Sequence, residues 1–399
     1  MNKIELLAPA GDLTRAKVAY LYGADAVYVG GKRFSLRARA SNFDLADLKE
    51  AADFAHNLGK KLFVTVNMIA HEEDMVQLEE YLLDLDRIKV DAIIVASLYI
   101  AQLARTLKCT YEVHLSTQLS VTNSATIAYY RSHGVDRIVL ARELDLDSIA
   151  KISKTSQLPT EVFIHGGMCT NFSGRCTLSN DMTLRDANRG GCAQSCRWTY
   201  ELTKENEIIS LADNPFTMGS KDLETLDDIE DMIKAGVISF KIEGRMKSAY
   251  YIAVIVKTYR TWIEALVSQS ATESLKQQCK RELRLAENRL TFGGFLRSIP
   301  DKNGQVYVTQ EDSVVQNFIG NVLSVVDQEA IIEIRNKVSL GQTLEVFSPK
   351  RISESFVLSV MRDEAGQTLP MINIPLSRIT MLIPVDVHPG DFIRRKDDL

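Results

Sequence analysis

Cysteine is scarce in this chain of 399 residues, six in all, and positive charge is not in excess: Lys and Arg number 47 against 52 Asp and Glu. The formal net charge of -5 argues against a protein that coats nucleic acid by bulk electrostatics, although a local basic patch is still able to hold RNA. No apolar run reaches membrane-spanning length, because Asp and Lys interrupt each one, and the opening MNKIELLAPAGDL lacks a basic stretch ahead of a long apolar one. The expectation is a cytoplasmic chain with no membrane association. Several signatures are missing as well. No GxGxxG or GxxxxGK[ST] follows a strand-like run, no GxSxG marks a serine nucleophile, and the nearest approach to HExxH, His71-Glu72-Glu73-Asp74-Met75, lacks the second histidine.

Against that scarcity, four of the six cysteines fall within 28 residues, at Cys169, Cys176, Cys192 and Cys196. Thiols this dense hold a soft metal or cluster, pair as disulfides or do redox work, and a reducing compartment favours the ligand reading. Their spacing, C-x6-C-x15-C-x3-C, differs from the close pairs of structural zinc sites. An iron-sulfur cluster, which needs only four converging thiolates, fits it best, with zinc and disulfides left as alternatives. Glycines at 166, 167, 174, 190 and 191 suit a loop that must turn tightly around such a group.

The first 245 residues alternate short runs rich in Val, Ile and Phe with amphipathic stretches of helical period. Strands are expected at Ile4 to Leu7, Ala26 to Gly30, Lys61 to Asn67, Ala92 to Ser97, Tyr111 to Thr117, Arg137 to Ala141, Glu161 to His165 and Ser239 to Glu243. Eight βα units predict an α/β fold, a closed (β/α)8 TIM-type barrel; an open doubly wound sheet is the alternative. The active site of such a barrel lies at the carboxyl ends of its strands. Those ends carry Asn67, Ser116, Gln118, Arg142, Glu143, His165, Glu243 and Arg245, and the cysteines occupy the long loop 166–221 after the seventh strand, before a helix expected near Asp222. His165, Arg142 and Glu243 are the candidate catalytic residues. A thiol nucleophile, Cys169 beside His165, is the hydrolytic alternative.

Two long helices, Tyr250 to Leu266 and Ser274 to Leu290, form an extension over 248–292. From about Val315 the pattern turns to short strands, which predicts a small closed β-barrel over 314–399 behind a first domain of 1–313. Basic residues gather locally at Arg175, Arg185, Arg189 and Arg197 in the cysteine loop, and at Lys32, Arg33, Arg37 and Arg39 around Phe34. Cations beside aromatics grip a single-stranded RNA loop; a solvated basic face is the plainer alternative.

At EVFIHGGMCTNFSGRCTLSN, Glu161 to Asn180, the chain resembles the collagenase-like peptidase family U32. RDANRGGCAQSCRWTY, FSLRARASNF and KIEGRMKSAYYIAVIVKTYR resemble its tRNA-hydroxylating branch in particular. The resemblance implies oxygen-independent conversion of wobble uridine to 5-hydroxyuridine, with an iron-sulfur cluster (4Fe-4S) and prephenate as co-substrate. Sister branches act on ribosomal RNA or ubiquinone precursors. Carried over residue by residue, Cys169, Cys176, Cys192 and Cys196 are the cluster ligands. Prephenate has two carboxylates, for which Arg142, Lys241 and Arg245 are the candidate partners. A tRNA anticodon loop, a paralogous family member and the RNA-binding residues Arg37, Arg39, Arg175, Arg185 and Arg189 complete the expectation. Peptidase activity is the alternative.

Overall fold

The computed structural model describes residues 4–36, 41–211, 216–286, 289–306, 317–349 and 351–396. Eight parallel strands close on themselves: β1 (Glu5–Pro9), β2 (Ala26–Gly30), β3 (Lys61–Val66), β4 (Ala92–Val95), β5 (Glu112–Leu115), β6 (Arg137–Val139), β7 (Thr160–Gly166) and β8 (Ser239–Ile242). Each pairs with the next, and β8 pairs in parallel with both β7 and β1, so the barrel is closed and the open doubly wound alternative falls. Helices between the strands start where side chains cap them. Asp12, Asn123, Asp145 and Ser248 each accept from a backbone N–H of the first turn, and Asp44 forms a reciprocal box with Asp47. None of the described helices is long and apolar enough to cross a membrane.

Alternate residues of each strand point inward, and they form two unlike layers. Leu7, Ala26, Tyr28, Phe63, Ala92 and Ile94 pack as an apolar layer. Toward the amino ends of the strands the interior is charged. Arg137 pairs with Glu5 and, at 3.3 Å, with Glu161; Lys241 reaches the other Glu161 oxygen at 2.7 Å, and Ser239 donates to Glu5 at 2.7 Å. Burial alone would raise the Glu161 carboxyl, but the Lys241 ammonium and Arg137 guanidinium outweigh it and hold it below the ordinary glutamate range. A lowered carboxyl stabilises the fold above its unfolded value of about 4.3, and that contribution is lost as pH falls. Glu161→Gln leaves the buried Lys241 ammonium without its carboxylate, while Arg137 keeps Glu5, so it is expected to destabilise the chain by about 3–5 kcal/mol, read as a lower thermal midpoint.

The long loop contains short pieces of structure: a helix at Leu178–Thr183, two small antiparallel strand pairs, and single helical turns at Phe172–Gly174, Ala187–Arg189 and Ser195–Arg197. Where a helix is expected near Asp222, the chain instead forms a short strand, Asp222–Glu224, antiparallel to β7 and parallel to Thr291–Phe292. The helix follows at Ile229–Ala235. Of the two long helices, Ala249–Val267 is the eighth of the barrel, packed on Leu13–Leu21 and β1, and Glu273–Ala286 lies against it.

The C-terminal region is a separate unit with its own core, built on a seven-stranded antiparallel sheet. It is not the closed barrel expected from strand spacing. Glu354–Val357 and Met361–Arg362 are the two opposite edges of the sheet, and no ladder joins them among the described residues. A stretch that leaves one edge and enters the other cannot pair with itself, so the sheet curls into an open half-barrel. It docks through aromatic stacks of Tyr22 on Phe347 and Tyr250 on Phe318, and through buried Arg394 between Glu282 and Glu345. The boundary expected at 313/314 lies outside the described residues.

Candidate functional site

A cavity of about 500 Å³ opens at the carboxyl ends of the barrel strands, roofed by the cysteine loop. Its wall includes Asn67, Ser116, Gln118, Arg142, Glu143, Glu243 and Arg245, from the strand ends picked out in sequence, together with Lys241 and all four loop cysteines. Glu143 anchors the roof by accepting from Ser173 N at 2.6 Å and Ser173 Oγ at 3.0 Å. Asn188 clamps Cys176, accepting from its N–H at 3.2 Å and donating to its carbonyl at 3.0 Å. Arg197 donates to Met168 O at 2.6 Å, just before Cys169.

The four cysteines are half-buried and unpaired, so no disulfide forms. Burial pushes the Cys169 thiol up, with Cys196 and Cys176 adding to the rise. Among the described residues no three His, Cys, Asp or Glu side chains stand close enough to hold a single metal ion. A multinuclear cluster takes its thiolates on different metal atoms, so its ligands stand farther apart than those of one ion. Four thiols in the wall of one cavity are a donor set that such a cluster can take.

Six cations line the cavity, Arg142, Arg197, Lys241, Arg245, Lys247 and Arg289, against three carboxylates, Glu143, Asp222 and Glu243. Arg142 lies 3.9 Å over the Phe163 ring and donates to Gly167 O at 2.6 Å. Arg245 is buried; it donates to Ser35 Oγ at 3.0 Å, Leu36 O at 2.9 Å and Asn42 Oδ1 at 2.6 Å. A Cβ on Gly30 would stand 1.9 Å from its Nη2, which is why β2 ends in glycine. Lys241 is held by Glu161 from below, between Tyr28 and Phe163. Glu243 accepts from Gly167 N at 3.3 Å, and Gly166, at φ +105, gives the room its backbone needs.

His165 is placed differently from its neighbours. The register between β7 and β8 slips after Lys241, so that Ile242 pairs with His165 and one β7 residue is extra. This bulge turns the imidazole away from the cavity, against Tyr251 and Tyr259, whose hydroxyl lies 3.2 Å from Nδ1. The carbonyl of Ile164 at the bulge accepts from Thr225 Oγ1 and Tyr259. Burial, with the nearby Lys247 ammonium, pulls His165 down to about 3, so it is neutral at physiological pH.

The basic residues divide. Arg189 is engaged by Asp74 at 2.5 Å and Glu73 at 3.3 Å, which ties the roof to the loop after β3. Arg175 is exposed and Arg185 half-buried; Arg37 and Arg39 lie outside the described residues. Phe34 is buried against Tyr81 and presents no stacking face. Phe172 and Trp198, exposed beside the cysteines, are the aromatics the sequence reading passed over. It also passed over Asp222 and Arg289, which the short strand pair brings to the cavity from distant parts of the chain.

The family model described as peptidase family U32 matches residues 11–306, and the one described as its C-terminal domain matches 315–394. Among curated proteins, the chain is 38% identical to tRNA hydroxylation protein P1 of Bacillus subtilis, across 99% of this chain and 95% of that one. It is 39% identical to the 23S rRNA 5-hydroxycytidine C2501 synthase of Escherichia coli, across 67% of this chain and 40% of that one. A collagenase of Porphyromonas gingivalis is 33% identical across 74% of each chain.

Proposed function

The chain belongs to peptidase family U32 and is an enzyme, and from that premise we propose that it hydroxylates RNA, converting wobble uridine of tRNA to 5-hydroxyuridine with prephenate as co-substrate. The observation that carries this reading is the placement of all four loop cysteines in the wall of a cation-rich cavity at the mouth of a closed barrel. Likeness to tRNA hydroxylation protein P1 over nearly the full chain supports the substrate class.

Cys169, Cys176, Cys192 and Cys196 would hold a four-iron cluster. When bound, the cluster supplies electron-transfer or Lewis-acid chemistry at the roof of the cavity. The chain's own residues bind, orient and exclude water. Arg142 and Arg245 supply guanidinium forks to the carboxylates of prephenate, and Glu161 holds Lys241 on the floor. Asn67 donates to Gln118 Oε1 at 3.0 Å, fixing an amide face on the opposite wall. Exposed Phe172, Trp198 and Arg175 offer stacking and phosphate contacts to a loop nucleotide that leaves its stack at little cost.

Peptide hydrolysis finds less support in the geometry. Among the described residues no histidine lines the cavity, so Cys169 has no imidazole base there. Two measurements test the proposal together. Anaerobically purified protein is expected to be brown, with iron and acid-labile sulfide. Transfer RNA from cells lacking the chain is expected to have lost 5-hydroxyuridine and its derivatives by nucleoside mass spectrometry. A colourless zinc protein, or an unchanged nucleoside profile, overturns it.

A further inference from the structure

Asp222 stands out within the cavity wall. Its side chain is 6% exposed, and Oδ1 accepts no hydrogen bond among the described residues. Three cations surround it without touching: Arg197 Nη2 at 3.8 Å and Arg289 Nη1 at 3.7 Å from Oδ1, and Lys247 Nζ at 3.7 Å from Oδ2. Backbone structure holds the acid in place, through the strand Asp222–Glu224 and a bond from Asp222 N to Leu290 O at 3.0 Å. Arg197 is fixed by two carbonyls, Ser220 O and Met168 O. Neither Lys247 nor Arg289 forms a side-chain hydrogen bond among the described residues; Lys247 instead rests 4.8 Å over the Tyr251 ring.

A buried carboxylate left short of hydrogen bonds is costly, and cations held just beyond contact do not repay it fully. The group is arranged as donor, acceptor, donor, with Arg289 and Arg197 at one carboxylate oxygen and Lys247 at the other. Uracil presents the complementary edge, with the acceptors O2 and O4 flanking the N3–H donor. Cytosine does not fit. Its N3 carries a lone pair that would face the carboxylate, and its amino group would face a cation.

We infer that Asp222, flanked by Lys247 and Arg289, is the base-reading element of this cavity and selects uracil over cytosine. The inference rests on the RNA reading above and deepens it. With the N3 edge held at Asp222, the C5–C6 edge of the ring faces the remaining volume of the cavity, which leaves C5 open to reaction. Rejection comes from the unpaired acid as much as from the contact made, because a site built to receive an N–H is left with a buried, unsatisfied oxygen when none is offered.

The test is binding to the full chain of short RNA stem-loops that differ at one loop position, carrying uridine, 3-methyluridine or cytidine among purines. Uridine is expected to bind about 10–100-fold tighter than the other two, the span of one charge-assisted hydrogen bond. Asp222→Asn, whose amide can turn its N–H toward cytosine N3, is expected to bring the uridine and cytidine loops to nearly equal affinity. The 3-methyl probe needs no variant, so the inference stays testable if Asp222→Asn does not fold. Equal affinity of the wild-type chain for the uridine and 3-methyluridine loops overturns it, as does undiminished discrimination in a folded Asp222→Asn. Discrimination in binding without any hydroxylated product from the wild-type chain would sink the catalytic proposal and leave this one standing. Failure of every loop to bind would sink both.

Discussion

Replacing Cys192 by Ser is expected to remove iron from the purified protein and to abolish product, while the fold survives. Serine keeps the size of the side chain but offers a hydroxyl that does not ionise as a thiol does, so one corner of a four-thiolate site is lost. Loss of a group that only supports a ligand costs about 10–100-fold in affinity or activity, and loss of a ligand should exceed that. The supporting group can be tested alongside it. Asn188 clamps the Cys176 backbone from both sides, and Asn188→Ala should fall within that lower range. Cys109 and Cys279 are the controls, since both are buried in the main core away from the loop, and Cys109→Ala and Cys279→Ala should retain iron. Full iron content in Cys169→Ser, Cys176→Ser, Cys192→Ser and Cys196→Ser would remove the cluster from the account. The barrel core does not depend on the roof, so thermal melting separates a lost ligand from a lost fold.

The barrel was legible because its strands are nearly continuous in hydrophobicity and its helices amphipathic, and both periods survive translation into sequence. All eight strands lie where the apolar runs place them, within a few residues. All of the strand-end residues but His165 lie in the cavity wall, since polar residues that finish apolar strands are brought together by closure alone. Three things were not legible. A bulge reverses the direction of His165, and nothing in EVFIHGG marks the extra residue. Glu161 reads as the polar start of a strand, yet it is the acid at the centre of a buried charge network, because the residues it meets, Arg137 and Lys241, come from other strands. The C-terminal sheet has the strand spacing of a barrel, but closure depends on whether edges pair, and local patterning carries no information about that. Asp222 is a case of the same kind. Its significance comes from Arg289 and Lys247, which approach it only through the fold.

Arg142→Ala is expected to lower prephenate-dependent turnover by about a hundredfold or more, and prephenate affinity with it, since a guanidinium fork gives a carboxylate two charge-assisted bonds. Arg142→Lys should recover little of this. An ammonium is a point donor, and it would lose the flat stack on Phe163 at 3.9 Å that aims the group into the cavity. Arg245 would supply the second fork on the proposed reading, but it also ties together Ser35, Leu36 and Asn42, so Arg245→Ala loosens the loop after β2 as well as the ligand. Gly30 offers a way to separate the position of the fork from its charge. An added methyl there would stand 1.9 Å from Arg245 Nη2, so Gly30→Ala should displace the guanidinium while leaving its charge in the molecule. If the position of the fork is what matters, Gly30→Ala will lose turnover as Arg245→Ala does. If net positive charge suffices, Gly30→Ala will keep most of it. Lys241 is not equivalent to either arginine, because Glu161 already engages its ammonium at 2.7 Å. Unchanged turnover and unchanged affinity in both Arg142→Ala and Arg245→Ala would show that the dicarboxylate does not bind between these strands.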